Sequence, residues 1–231
     1  MAEGKSHESV FALTRHGVRA SNSLSAGLRK DGEGNIRGNT YIAEIGEALS
    51  NESRDHPHDR YLYAPTPVCQ ETAQALIDNA PNLVNLGPRR VLKEAPELYT
   101  SRIAEWVPLV GKLGGQDFMS GKTLAELSLA GSKDFILSEG ENIFRFIETM
   151  AKTDEEDTST ICVLPSPLPE ALMIYLFFCK NNLKALERIR MLDYLDSYLV
   201  FFKNGEYDFT LYRSYWRKVR RLRQEKVLDR S

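Results

Sequence analysis

The run Thr160-Ile-Cys-Val-Leu164 constrains the fold more than any other stretch. It is short, apolar and rich in β-branched residues, with polar residues before it and proline after it, the pattern of a strand buried on both faces. Pro165-Ser-Pro-Leu-Pro169 makes a corner, and Glu170-Ala-Leu-Met-Ile-Tyr-Leu-Phe-Phe178 continues as an apolar helix that must lie inside. A strand covered on both faces and followed directly by a buried helix belongs to a layered α/β protein.

The remaining elements fit that class. An apolar run of strand type, Val10-Phe-Ala-Leu-Thr14, opens the chain, and Ser21 to Thr40, rich in Gly, Ser, Asn and charge, reads as a long loop over its end. A helix from about Thr40 carries Ile42, Ile45 and Leu49 on one face. Asp59 to Tyr63 leads into a short strand, which Ala64-Pro-Thr-Pro67 breaks before a helix beginning at Cys69. Val91-Leu92 suits another short strand, and Lys93 to Gly115 reads as irregular or loosely helical. Thr123 to Gly131 forms a compact helix ended by glycine, and Glu141 to Lys152 a further one through Ile143, Phe146, Ile147 and Met150. Tyr198-Leu-Val-Phe-Phe202 and Tyr207-Asp-Phe-Thr-Leu211 flank an Asn-Gly turn and make a hairpin. No linker or repeat divides the chain. The expectation is one domain over residues 1–231, a three-layer α/β/α arrangement with a mostly parallel central sheet and an antiparallel edge.

Within that frame the chemistry gathers at Thr14-Arg-His-Gly-Val-Arg19. Glycine follows the strand at once, so Arg15 and His16 are expected to be exposed where strand becomes loop, the place where α/β proteins keep their sites. Arginine offers permanently charged planar donors to phosphate, and histidine serves as nucleophile or proton carrier. The same residues also suit an ordinary surface loop. Of the other histidines, His56 and His58 flank Pro57 in a polar loop and read as solvated, and no metal site or cofactor is expected. Cys69, Cys162 and Cys179 have no paired spacing and read as reduced core thiols.

No run approaches the ~18 apolar residues of a membrane helix, and Met1 to Glu8 lacks a signal peptide's apolar core, so an intracellular chain, cytoplasmic or nuclear, is expected. Charge is concentrated at the end, where eight basic residues from Arg213 to Arg230 oppose Glu225 and Asp229. A basic helix at about 212–230, with Tyr215, Val219 and Leu222 on one face, can be a solvated surface or can dock on a protein; nucleic acid is the least favoured partner.

The strand ends at Arg15-His16-Gly17, Ala64 to Ala73 and Leu164 to Glu170 together resemble the motifs of the histidine phosphatase, or phosphoglycerate mutase-like, superfamily over nearly the whole chain. Asp117 to Gly131 and the closing hairpin look most like the branch holding the Sts phosphatase domains and a related subunit of transcription factor IIIC. The resemblance implies that His16 takes up a phosphoryl group, that Arg15 clamps its oxygens and that Arg19 adds a phosphate ligand. It also implies dimerisation through the sheet edge. Two motifs depart from the family pattern. The arginine expected in Ser-Pro-x-x-Arg-x-x-x-Thr-Ala is Val68 in Ala64-Pro-Thr-Pro-Val-Cys-Gln-Glu-Thr-Ala73, and Ser166 stands at the second histidine, between Pro165 and Pro167. The general acid is open between Glu94, Glu97 and neither.

Losing one preorganised donor typically costs about 2.7–4 kcal/mol of transition-state stabilisation, so losing two costs on the order of 10⁴ or more in rate. The first expectation is therefore a pseudophosphatase, inactive or strongly impaired, that acts as a protein-binding module and keeps at most an anion or phosphate in its remnant pocket. The alternative is an active phosphatase using His16 as phosphoryl acceptor on a phosphorylated protein or small molecule.

Overall fold

The computed structural model describes residues 7–21, 25–30, 58–79, 91–100, 102, 133–181, 189, 192 and 195–210. The expected helices from Thr40, over Thr123–Gly131 and at 212–230 lie outside these residues, as do His56 and Leu211.

The expected buried strand is one residue pair longer, Thr158–Leu164 (β4), and all seven of its residues are buried. It lies at the middle of the sheet between Glu8–Arg15 (β1) and His58–Tyr63 (β2), parallel to both. Val91–Glu94 (β3) joins β2 in parallel, while Ser197–Lys203 (β5) runs antiparallel to β1 and carries Glu206–Thr210 (β6) on its outer side. The order β3-β2-β4-β1-β5-β6 is the mostly parallel sheet with an antiparallel edge that the sequence led one to expect. In the hairpin, Asn204 and Gly205 take φ values of 55° and 78°, the left-handed pair that a two-residue turn between twisted strands requires.

Pro67–Asn79 (α1) packs on β2, β4 and β3. It starts two residues before Cys69, because Pro67 occupies the first helical position, where no backbone donor is needed. Lys133–Thr153 (α2) and Leu168–Cys179 (α3) pack on each other and over β1, with α3 also reaching β5. Aromatic rings join these layers: Phe144 of α2 stands 4.9 Å from Tyr207, and Phe177 of α3 stands 4.9 Å from Phe209 at 90°. The helix expected from Glu141 begins at Lys133, eight residues earlier. Gly140 does not break it. A Cβ there would lie 2.4 Å from the Ala171 carbonyl oxygen, so glycine is what lets α2 and α3 approach so closely.

Three local expectations are corrected. His58 begins β2 rather than sitting in a polar loop, since its backbone pairs with Ser159. Cys179 is exposed at the end of α3, whereas Cys69 and Cys162 are buried thiols. Of the irregular Lys93–Gly115 stretch, Lys93 and Glu94 complete β3 and Pro96–Leu98 forms a 3₁₀ turn.

Candidate functional site

The four parallel strands end at one edge of the sheet, and short backbone bonds bind their exits together. The His16 N–H donates to the Leu164 carbonyl at 3.1 Å, that of Ala64 to Val163 at 3.0 Å, and that of Ala95 to Tyr63 at 2.9 Å. A second layer closes over β1: the Arg15 N–H donates to the Asp196 carbonyl, and the Leu195 N–H returns to the Arg15 carbonyl, both at 3.0 Å. His16 is consequently only 5% exposed and Arg15 half-buried, not exposed as the glycine after the strand suggested.

Burial fixes the chemistry of His16. Its Nδ1 lies 2.6 Å from the Gly17 carbonyl oxygen. A carbonyl only accepts, so Nδ1 carries the proton and the lone pair of the neutral ring is on Nε2. Desolvation lowers the imidazole pKa from 6.5 to about 3; the Gly17 bond opposes this, and the charges of Arg19 and then Arg15 add to it. The ring is thus a neutral, oriented base at physiological pH, the form that can attack phosphorus or accept a hydrogen bond from a phosphate hydroxyl.

Arg19 sits on a two-stranded ribbon. It pairs antiparallel with Leu28, the Ala20 N–H donates to the Gly27 carbonyl at 3.0 Å, and the Arg29 N–H donates to Val18 at 2.8 Å. Its charge acts on both His16 and Cys69, and its Nε is buried with no hydrogen-bond partner among the described residues. The Arg15 guanidinium, whose charge also acts on His16, donates from Nη1 to the Leu192 carbonyl, and it acts on Glu170 as well.

The departing positions contribute no charge. Val68 is wholly buried in the first turn of α1. Ser166 Oγ donates to Glu170 Oε1 at 3.4 Å, and Pro165 and Pro167 beside it lack N–H donors. Cys69 is no substitute nucleophile, because burial, against the pull of Thr66 and Arg19, raises its thiol pKa from 9.0 to about 12. Glu94 and Glu97 are both exposed. Among the described residues no three His, Cys, Asp or Glu side chains come together as metal ligands.

Thr72, which keeps the threonine of the second motif, and two residues not singled out in the sequence, Glu71 and Glu170, complete the surroundings. Thr72 Oγ1 accepts from the Gly17 N–H at 3.1 Å and donates to the Val68 carbonyl at 2.6 Å. Glu71 Oε2 accepts from the Leu28 N–H at 2.8 Å. Glu170, wholly buried in the first turn of α3, accepts from the Leu192 N–H at 2.7 Å, and burial raises its carboxyl pKa against the pull of that bond, Arg15 and Ser166. An acid at the start of a helix that must lie inside was the available signal for Glu170.

No family model matches the chain, and no curated protein matches its sequence. Solved structures do resemble it. YhfR of Bacillus stearothermophilus is 11% identical with a TM-score of 0.52, over 87% of this chain and 95% of that one. A mycobacterial glucosyl-3-phosphoglycerate phosphatase is 8% identical with a TM-score of 0.51, over 90% of this chain and 98% of that one. At such identities the likeness shows the fold, and the fold is the phosphoglycerate mutase-like one.

Proposed function

We propose that this chain is a histidine phosphatase-like protein that holds a phosphate-type anion between His16 and Arg19, turns it over poorly or not at all, and works by binding another protein. One observation carries the reading. A neutral imidazole with its lone pair on Nε2 lies in the field of Arg19, whose buried Nε lacks a partner among the described residues, while Val68 and Ser166 bring no charge to the same edge. An incoming anion would accept hydrogen bonds from the Arg19 guanidinium and balance its charge. Phosphoryl transfer also needs charge around the equatorial oxygens, and with Val68 and Ser166 in place of charged groups part of that is unmet. Arg15, expected from the resemblance to clamp the same anion, spends one arm on Leu192.

The resemblance of Asp117–Gly131 and of the hairpin to the Sts and transcription factor IIIC branch supports a protein-binding role, as does the basic segment at 212–230. Folds of this kind host binding as readily as catalysis. Three cysteines without a paired spacing favour an intracellular setting.

Hydrolysis of an aryl phosphate, with His16→Ala as control, tests the reading. The expected result is turnover at the buffer background for both proteins. Turnover well above background that the substitution abolishes would establish the active-phosphatase alternative instead.

A further inference from the structure

The ribbon carrying Arg19 is held by two consecutive residues of α1. Thr72 takes the Gly17 N–H where the ribbon leaves β1, and Glu71 takes the Leu28 N–H directly across from Arg19. Leu28 itself is 4% exposed and packs over Gly17, where an added Cβ would come within 2.7 Å of its Cδ2. At Gly27 an added Cβ would lie 2.5 Å from Glu71 Oε1 and 2.9 Å from Oε2, so glycine there is what lets the carboxylate reach the Leu28 N–H. A carboxylate accepting from a backbone N–H is a charge-assisted bond, stronger than its neutral counterpart.

We propose that Glu71 is a positioning residue that sets Arg19 against His16, so that an acid outside the pocket determines how firmly the pocket holds an oxyanion. The proposal rests on reading the His16–Arg19 pocket as an anion site. Glu71 does not touch the anion; it fixes the strand opposite Arg19 and thereby the distance from the guanidinium to the imidazole. Without it the ribbon keeps its backbone pairing and the Thr72 bond at Gly17, but loses its anchor to α1 opposite Arg19. Arg19 then no longer stays within reach of a bound phosphate.

The probes are tungstate binding by calorimetry and the His16 titration by imidazole ¹⁵N NMR, on wild type, Glu71→Ala, Glu71→Gln and Gly27→Ala. Glu71→Ala is expected to weaken tungstate binding about tenfold or more, the equivalent of one charge-assisted hydrogen bond. It is also expected to make His16 protonate at a higher pH, because the Arg19 charge that opposes protonation has moved away. Glu71→Gln keeps the acceptor and is expected to restore both. Gly27→Ala displaces the carboxylate from the other side, meets only a flexible side chain, and is expected to reproduce the alanine result in a folded protein. Wild-type tungstate affinity and His16 titration in Glu71→Ala would overturn the role given to Glu71. A wild-type chain that binds no tungstate would overturn the anion reading itself, and the His16 titration would then judge Glu71 alone.

Discussion

The two edges of the parallel sheet treat their buried polar groups in opposite ways. At the amino edge, Arg60 grips Asp154 through two bonds of 2.8 Å and adds Thr158 at 2.9 Å and Thr160 at 3.0 Å, while Ser9 and Thr158 donate to the same carboxylate. Burial pushes the Asp154 carboxyl upward, but the hydrogen bonds of Arg60, Thr158 and Ser9 outweigh it and hold the pKa below the ordinary value. Residues of β1, β2 and β4 converge on Asp154, and opposite charges meet. At the carboxyl edge, by contrast, burial wins: His16 is driven neutral and the Glu170 carboxyl is raised, with one oxygen lacking a hydrogen-bond partner among the described residues. Paired groups stabilise a fold; buried groups with unused capacity cost stability and mark the place where a ligand is to be met.

Substitution at the amino edge should give the largest effect. Asp154→Ala leaves Arg60, 20% exposed, without its counter-ion and is expected to cost about 3 kcal/mol in urea unfolding at pH 7. The folded pKa is depressed, so this contribution is full above the ordinary carboxylate value of about 4 and is lost as pH falls through the lower folded value. The gap between wild type and variant should therefore close on acidification. A gap that stays constant from pH 7 to pH 3 would remove the contrast between the edges.

Glu170→Gln probes the other edge, where the sign reverses. A carboxyl raised by burial favours folding below its unfolded pKa and loses that advantage as pH rises toward the folded pKa. Gln keeps an acceptor for the Leu192 N–H without the charge, so the variant should gain on wild type by about 1 kcal/mol between pH 5 and pH 8. Equal stabilities across that range would show that Arg15 already neutralises the acid. Thr72→Val should cost about 1 kcal/mol in the same assay, because it removes the acceptor of one buried backbone N–H while keeping the side-chain shape. A loss as large as that of Asp154→Ala would mean that the carboxyl edge is held as rigidly as the amino edge.

Much of the frame was legible in the sequence. β-Branched runs marked β4, and Asn204-Gly205 between apolar strands marked the hairpin, because those signals act between near neighbours. Contacts across long separations were not legible. Arg60 meets Asp154 from 94 residues away, and His16 is buried by Leu195 and Asp196, which bond Arg15 from far along the chain; no local pattern announces either. The role of Gly140, admitting Ala171 and Tyr175 of α3, exists only once two helices have packed. At the site, the motifs contained His16, Arg19, Val68, Thr72 and Ser166, yet gave no sign of the bond from Arg15 to Leu192 or of the supports at Glu71 and Glu170.

The central claim is an oriented neutral imidazole, in the field of Arg19 and Arg15, that holds an anion. Titration of His16 by imidazole ¹⁵N NMR, with and without inorganic phosphate, tests it directly. The account predicts the Nδ1-protonated neutral ring from pH 8 down to pH 5 in the free protein, and a rise of the His16 pKa from about 3 when phosphate is added, since a bound anion favours the imidazolium. Protonation near the ordinary value of about 6.5, unchanged by phosphate, would contradict it.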